Sequence, residues 1–446
     1  MTAPQPFAYS AATADFRTGT DTPRQFLERC LARLEQFEPE VGSFVCHDIA
    51  AAQAAADRAT ERWRGGRPLS PIDGMPIGIK DIIETVDMPT EQGSPLFVGW
   101  RTARDSASVA ALREAGAVIL GKVVTTEFAA TEPRGTRNPW DLARTPGGSS
   151  SGSAAAVACG IVPAALGTQV VGSILRPASF CGCVGFKPSV GGINRGGSYD
   201  YFSQSCTGVL TASLDDAWLV AINIASRAGG DPGYVGLQGP PEPPSGQHPQ
   251  ALAVLRTAGW QVASSDARNV FEETIGRLAK ANITIADRHA DPDIEATEAA
   301  IFDAMESTRS INAWEGRWPL NTYRNRGGGK LSQSALERLA TAETMTQTDY
   351  AVAIGKRQHS RGIHAGLAAR YDAAITLAAP GPAPLGLGST GNPVFNVPAS
   401  LLGVPAVSLP LLTVEGLPLG LQVMGFVGKD AQLFATAAAI RELFIR

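Results

Sequence analysis

Asp105-Ser-Ala-Ser-Val-Ala-Ala-Leu-Arg-Glu-Ala-Gly116-Ala-Val-Ile-Leu120 is the stretch on which the fold turns. Asp105 or Ser106 offers an N-cap, the residues through Ala115 continue a helix, and Gly116 stops it. Ala117-Val-Ile-Leu120 follows at once as a short apolar run, the mark of a buried strand. Upstream, Pro76-Ile-Gly-Ile-Lys80 reads as another short buried strand, ended by Asp81. Strand and helix alternating at this spacing predict an α/β fold rather than a β-sandwich. The expected form is one large domain whose mixed, mostly parallel central sheet is covered by helices on both faces.

Working outward, Thr22-Pro23 opens a helix, with Phe26, Leu27, Cys30, Leu31, Leu34 and Phe37 on one face. A second long helix is predicted over residues 213–225. The Pro- and Gly-rich stretch 229–249 reads as a surface crossover, because strand character resumes at Ala251-Leu-Ala-Val-Leu255. Residues 291–345 are helical, charged and cap-like, interrupted by Gly327-Gly-Gly329. The chain returns to core at Val404–Leu409 and Leu419–Met424, then ends in a helix over 430–444. Residues 1–446 are thus expected to form a single domain, with the chemistry between about 70 and 210.

A formal charge of −4 with no basic run argues against a nucleic-acid partner. Residues 1–7 lack a basic segment followed by an apolar one, so no secretory signal is expected. The longest apolar run, residues 154–166, is too short for a membrane span and contains Gly160 and Pro163. Six cysteines in 446 residues are too few for a disulfide scaffold, and no His or second Cys pair completes a metal site around Cys181-Gly-Cys183. Buried free thiols and a cytoplasmic location are the expectation, with no metal and no cofactor.

Two serine-bearing segments stand out: Pro146-Gly-Gly-Ser149-Ser-Ser-Gly-Ser153 and Gly167-Thr-Gln-Val-Val-Gly-Ser173-Ile-Leu-Arg-Pro177. A Gly/Ser stretch can be a flexible linker, but linkers do not usually run straight into apolar sequence such as 154–166. A tight buried loop uses the same composition, glycine for close approach and serine to satisfy polar groups. Gly148–Gly152 also fits the G-x-S-x-G elbow, which would require an acid and a histidine downstream. His47, His248, His289, His359 and His364 carry no accompanying motif, so lysine is the next candidate base. Lys80 closes an apolar strand, where desolvation would lower its pKa; a lysine after a strand is otherwise an ordinary surface residue.

The sequence resembles the amidase signature family through most of its length. Gly74-Met-Pro-Ile-Gly-Ile-Lys80-Asp81 looks like the family's lysine motif, Thr145–Val157 like its Gly-Ser signature, and Ser173–Gly182 with Val184-Gly-Phe-Lys-Pro188 like its nucleophile segment. The residues Gly391–Asn396 and Gly403–Leu409 resemble its closing segments. The resemblance implies Ser173 as nucleophile, Ser149 as a bridging serine in a cis peptide, and Lys80 as base. It also implies an oxyanion hole from the backbone N–H groups of Val170, Val171, Gly172 and Ser173.

The chain departs from the commonest family pattern in three places: Gln169 replaces an Asp, Val170-Val171 replaces Thr-Gly, and Leu175 replaces an Arg that reappears one residue later as Arg176. It looks like the branch with a Gln and an Arg-Pro, which resembles bacterial amidases that include urethane-cleaving enzymes. A β-branched Val171 narrows the backbone choices of the oxyanion loop. Phe128, Ala129, Gly148, Gln169, Leu175 and Arg176 are the candidate substrate contacts. Phe302, Met305, Trp314 and Trp318 offer either an aromatic cap or ordinary core. The expected substrate is a neutral, aryl or hydrophobic amide, with carbamate as a further option. An ammonia-releasing member of an amidotransferase complex is the alternative. No nucleic-acid or membrane partner is expected, and a homodimer is compatible with the sequence.

Overall fold

The computed structural model describes residues 4–445; Met1, Thr2 and Ala3, part of the stretch read for a signal, lie outside the described residues. Its strands in chain order are β1 (Phe44–His47), β2 (Pro76–Lys80), β3 (Val118–Val123), β4 (Ala164–Gln169), β5 (Val184–Lys187), β6 (Cys206–Thr211), β7 (Ala251–Val254), β8 (Thr284–Ala286), β9 (Ala373–Leu377), β10 (Ala406–Val414) and β11 (Leu417–Met424). They form one 11-stranded sheet in the order β1-β3-β2-β4-β6-β5-β10-β11-β9-β7-β8.

The deciding stretch folds as read. Ser106, not Asp105, caps the helix Ala107–Glu114 by accepting from the N–H of Val109. Asp105 instead pairs with Arg113 at 2.9 Å. This helix carries the chain from β2 to β3, which pair in parallel, as do β2–β4, β7–β8 and β7–β9. The remaining neighbours are antiparallel, so the sheet is mixed but parallel only in part. One antiparallel pair has a local cause: β10 and β11 are joined by Glu415-Gly416, both at positive φ (54° and 75°), a two-residue hairpin turn that needs no crossover helix.

Successive residues of a strand face opposite sides of its sheet. Along β4, Ala164 and Leu166 pack with the helix Leu214–Ala228, capped by Ser213, while Ala165 packs with the helix Ser151–Ala158. The two helices therefore cover opposite faces. The helix Ser151–Ala158 is buried on every side, which its small residues permit. At Gly152 an added Cβ would stand 2.2 Å from the carbonyl of Ser43 and 2.4 Å from the N–H of Val124, so only glycine fits. The stretch 229–249 holds no helix or strand and links the helix Leu214–Ala228 to β7. The helices Pro292–Ala300, Ala304–Gly327 and Gln333–Thr344 make up the predicted cap, broken at Gly328–Lys330. Among the described residues no helix is long and apolar enough to cross a membrane. Five of the six cysteines are buried, all six are free, and Cys46 is half-buried.

Candidate active site

Parallel strands leave their carboxyl ends on one edge, where a cleft can form. Here β2 ends at Lys80 and β4 at Thr168-Gln169, with Ile79 opposite Leu166. Lys80 is fully buried and lies among Ser149 Oγ at 2.7 Å, Thr168 Oγ1 at 2.9 Å and the carbonyl of Thr168 at 3.5 Å. Among the described residues no carboxylate comes within ion-pair range of it. Burial disfavours the ammonium and brings its pKa down to about 7, while the charge of Asp200 pulls the other way. Asp200 is itself buried, accepts from the Ser205 hydroxyl, and has a pKa raised by burial.

The peptide Gly148–Ser149 is cis. The next residue ties this turn to the second serine segment: the N–H of Ser150 donates to the carbonyl of Ser173 at 3.3 Å. Ser173 lines a cavity of about 880 Å³ together with Val170 and Val171. Lys80 and Ser149 are thus joined directly. Ser173 stands beside them, with no hydrogen bond from its Oγ to the protein among the described residues.

The loop 170–173 has its carbonyls taken up by the protein. Gln204 Nε2 donates to the carbonyl of Val170 at 3.0 Å, Ser400 Oγ to that of Val171 at 2.9 Å, and the N–H of Arg176 to that of Gly172 at 3.1 Å. In a trans peptide the N–H points away from its C=O. The N–H groups of Val171, Gly172 and Ser173 therefore face the opposite way, and none donates to a protein acceptor among the described residues. Val171 keeps an ordinary negative φ, so its β-branch costs no backbone strain. The departure flagged by sequence leaves the loop intact.

Of the candidate contacts, Phe128, Ala129 and Arg176 line the cavity; Gln169, Leu175 and Gly148 do not. Gln169 is fully buried and works as a brace. Its Oε1 accepts from the N–H of Ile174 (2.9 Å) and Leu175 (3.0 Å), and its Nε2 donates to Ser400 Oγ (3.0 Å). Leu175 packs into the core at the start of the helix Leu175–Cys181. Gly148 offers its carbonyl to Arg176 Nη2 at 2.6 Å, and that nitrogen also reaches Thr390 Oγ1 at 2.9 Å. Arg176 has no carboxylate partner, its Nε is unpaired, and burial lowers its pKa to about 9. Replacing Gln169 by Leu is expected to strand two buried N–H groups and to remove one donor to the Ser400 hydroxyl, which keeps its bond to Val171. The loss is about 2–4 kcal/mol of stability, read as a lower urea midpoint at unchanged slope.

Of the four cap residues only Met305 lines the cavity. Phe302 and Trp318 are exposed, and Trp314 stacks on Tyr350. The aromatic wall comes instead from Phe128 stacked on Tyr323 (centroids 4.6 Å apart, 25° between planes), with Tyr199, Tyr201 and Phe202. Phe128 and Ala129 both hold positive φ (51° and 54°), a left-handed pair unusual for residues with side chains. None of the five histidines lines this cavity. The sequence reading missed Thr168, Asp200, Gln204, Ser400 and Thr390. Each lies far along the chain from the residue it serves or, like Thr168, inside a strand without a motif of its own.

The sequence pattern of the Amidase family matches residues 25–434. The chain belongs to the Amidase family. Its relatives within that family include fatty acid amide hydrolase of Arabidopsis thaliana, 31% identical over 96% of this chain and 75% of that protein. A glutamyl-tRNA(Gln) amidotransferase subunit of Chloroflexus aggregans is 45% identical, over 48% of this chain and 44% of that one; the chain thus matches less than half the length of this relative. A crystal structure of an amidase superposes with a TM-score of 0.84 at 28% identity, covering 98% of this chain and all of that one.

Proposed function

We propose that this amidase cleaves an amide with an aryl or otherwise hydrophobic part, through an acyl-enzyme on Ser173. The observation that carries the reading is a buried lysine with a pKa near 7, 2.7 Å from a serine whose neighbour is bonded to Ser173. Neutral Lys80 accepts the Ser149 hydroxyl proton while its own N–H groups donate to Thr168. Ser149 in turn takes the proton of Ser173, whose Oγ attacks the carbonyl carbon. Hydrogen bonds in such relays commonly close only once substrate is bound. The oxyanion that forms is met by the free N–H groups of Val171, Gly172 and Ser173, each worth about 3–4 kcal/mol in comparable sites. The tetrahedral adduct then expels the amine, which receives the proton back from Lys80 through Ser149. Water hydrolyses the ester by the same route. The Phe128–Tyr323 wall supports a hydrophobic part, and Arg176 holds the Gly148 turn in place beside the reacting serine.

A carbamate presents the same carbonyl and suits the same steps. A second reading, an ammonia-releasing component of a larger complex, is favoured by the likeness to the amidotransferase relative. Purified protein given a panel of acyl 4-nitroanilides and 4-nitrophenyl carbamates separates these. Turnover of anilides supports the amidase reading, and preference for carbamates makes it a urethanase. No turnover above background, with glutamine hydrolysis appearing only beside a second protein component, favours the complex.

A further inference from the structure

The cavity beside Ser173 is lined by arginine side chains as well as aromatic ones. Arg338 lies on the helix Gln333–Thr344, whose Ala335 and Leu339 pack against Leu320 and Leu331. Its side chain lines the cavity, yet it makes no ion pair or hydrogen bond among the described residues, and its Nε is buried without a partner. The carboxylate whose charge acts on it, Glu127, is already engaged. Its Oε1 accepts from Ser94 and faces Arg134 at 3.1 Å, and its Oε2 accepts from the N–H of Ser332. Burial lowers the Arg338 pKa to about 10 in spite of Glu127.

Some half-buried arginines of this molecule are paired with carboxylates, as Arg195 with Asp231 at 2.6 Å and Arg62 with Asp73; Arg338, like Arg176, is not. Burying a guanidinium without an anion is costly, and the cost is recovered when an anion arrives. Arg309, on the helix Ala304–Gly327, and Arg176, held on Gly148 and Thr390, bring the guanidiniums of the lining to three, against one carboxylate among the described residues, Glu132. Met305, Leu320 and the Phe128–Tyr323 pair give this cavity an apolar wall, beside neutral polar groups such as Asn312 and Thr341.

We propose that the cavity accepts amides carrying a carboxylate on an apolar arm, and that Arg338 binds that carboxylate. The planar guanidinium matches a carboxylate in a two-bond fork, and one deeply set arginine suits a monoanion. The inference rests on the hydrolase reading and departs from the neutral substrate suggested by sequence.

The test uses the mono-4-nitroanilides of succinic, glutaric, adipic and pimelic acids beside their methyl esters, with wild type, Arg338→Met and Arg338→Lys. At one chain length wild type should prefer the acid by about 10-fold or more in kcat/KM. The preference should fall to near one in Arg338→Met and return in part in Arg338→Lys, with the change in KM rather than kcat. Equal turnover of acid and ester by wild type overturns the inference and leaves the hydrolase reading standing. So does a preference that survives Arg338→Met. If wild type hydrolyses neither, the hydrolase reading fails. Calorimetric titration with adipate and pimelate then decides: saturable binding lost in Arg338→Met upholds the anion site, and no binding overturns it.

Discussion

Ser173→Ala is expected to lower kcat/KM for the best 4-nitroanilide by roughly 10⁴- to 10⁶-fold while leaving the melting temperature nearly unchanged. The argument is geometric. Ser173 borders the cavity at 6% exposure, and its hydroxyl makes no hydrogen bond to the protein among the described residues. Removing the oxygen therefore breaks no structural contact, and what is lost is the nucleophile. Residual hydrolysis would come from the N–H groups of Val171, Gly172 and Ser173, which the substitution leaves in place. A variant that kept a tenth of wild-type activity would assign the covalent step to another group.

Lys80→Met is the second large effect, a fall of about 10³-fold or more in kcat, and it carries a pH signature. Burial holds Lys80 near pKa 7. Below that the amine is protonated and cannot accept the Ser149 proton; above it the amine is free. Wild-type kcat/KM should therefore rise through about pH 7 and level off, and Lys80→Met should lose that limb. The charge of Asp200 favours the protonated form, so Asp200→Asn should move the limb to lower pH. A wild-type profile flat from pH 5 to 9 would deny Lys80 its role as base.

Much of the site was legible because its pieces are local. Gly147-Gly148-Ser149 and Gly172-Ser173 announce tight loops by composition, and Lys80 sits where an apolar strand stops. The link between them is not local. Lys80 meets Thr168 because β2 pairs in parallel with β4, a contact 88 residues long in sequence. Gln169 illustrates the converse error. Its closeness to Ser173 in sequence suggests a substrate contact, but β4 turns it into the core to hold the N–H groups of Ile174 and Leu175. The sheet reads as mostly parallel from sequence because β2, β3 and the helix between them form the clearest pattern. The antiparallel middle, β6-β5-β10-β11, depends on which distant strands meet, and only the Glu415-Gly416 turn signals it locally. The cap is legible as helices, but helical periodicity does not say which face looks inward. Met305 and Tyr323 do, while Trp318 and Phe302 are exposed.

The most direct test is to trap the acyl-enzyme. Wild-type protein mixed with an activated 4-nitrophenyl acyl substrate and quenched in acid within the first turnover should gain one acyl mass. Peptide mapping should place that mass on Ser173, with none on Ser173→Ala. An acyl group mapped to Ser149, or steady turnover with no acylated serine at any quench time, would contradict the account.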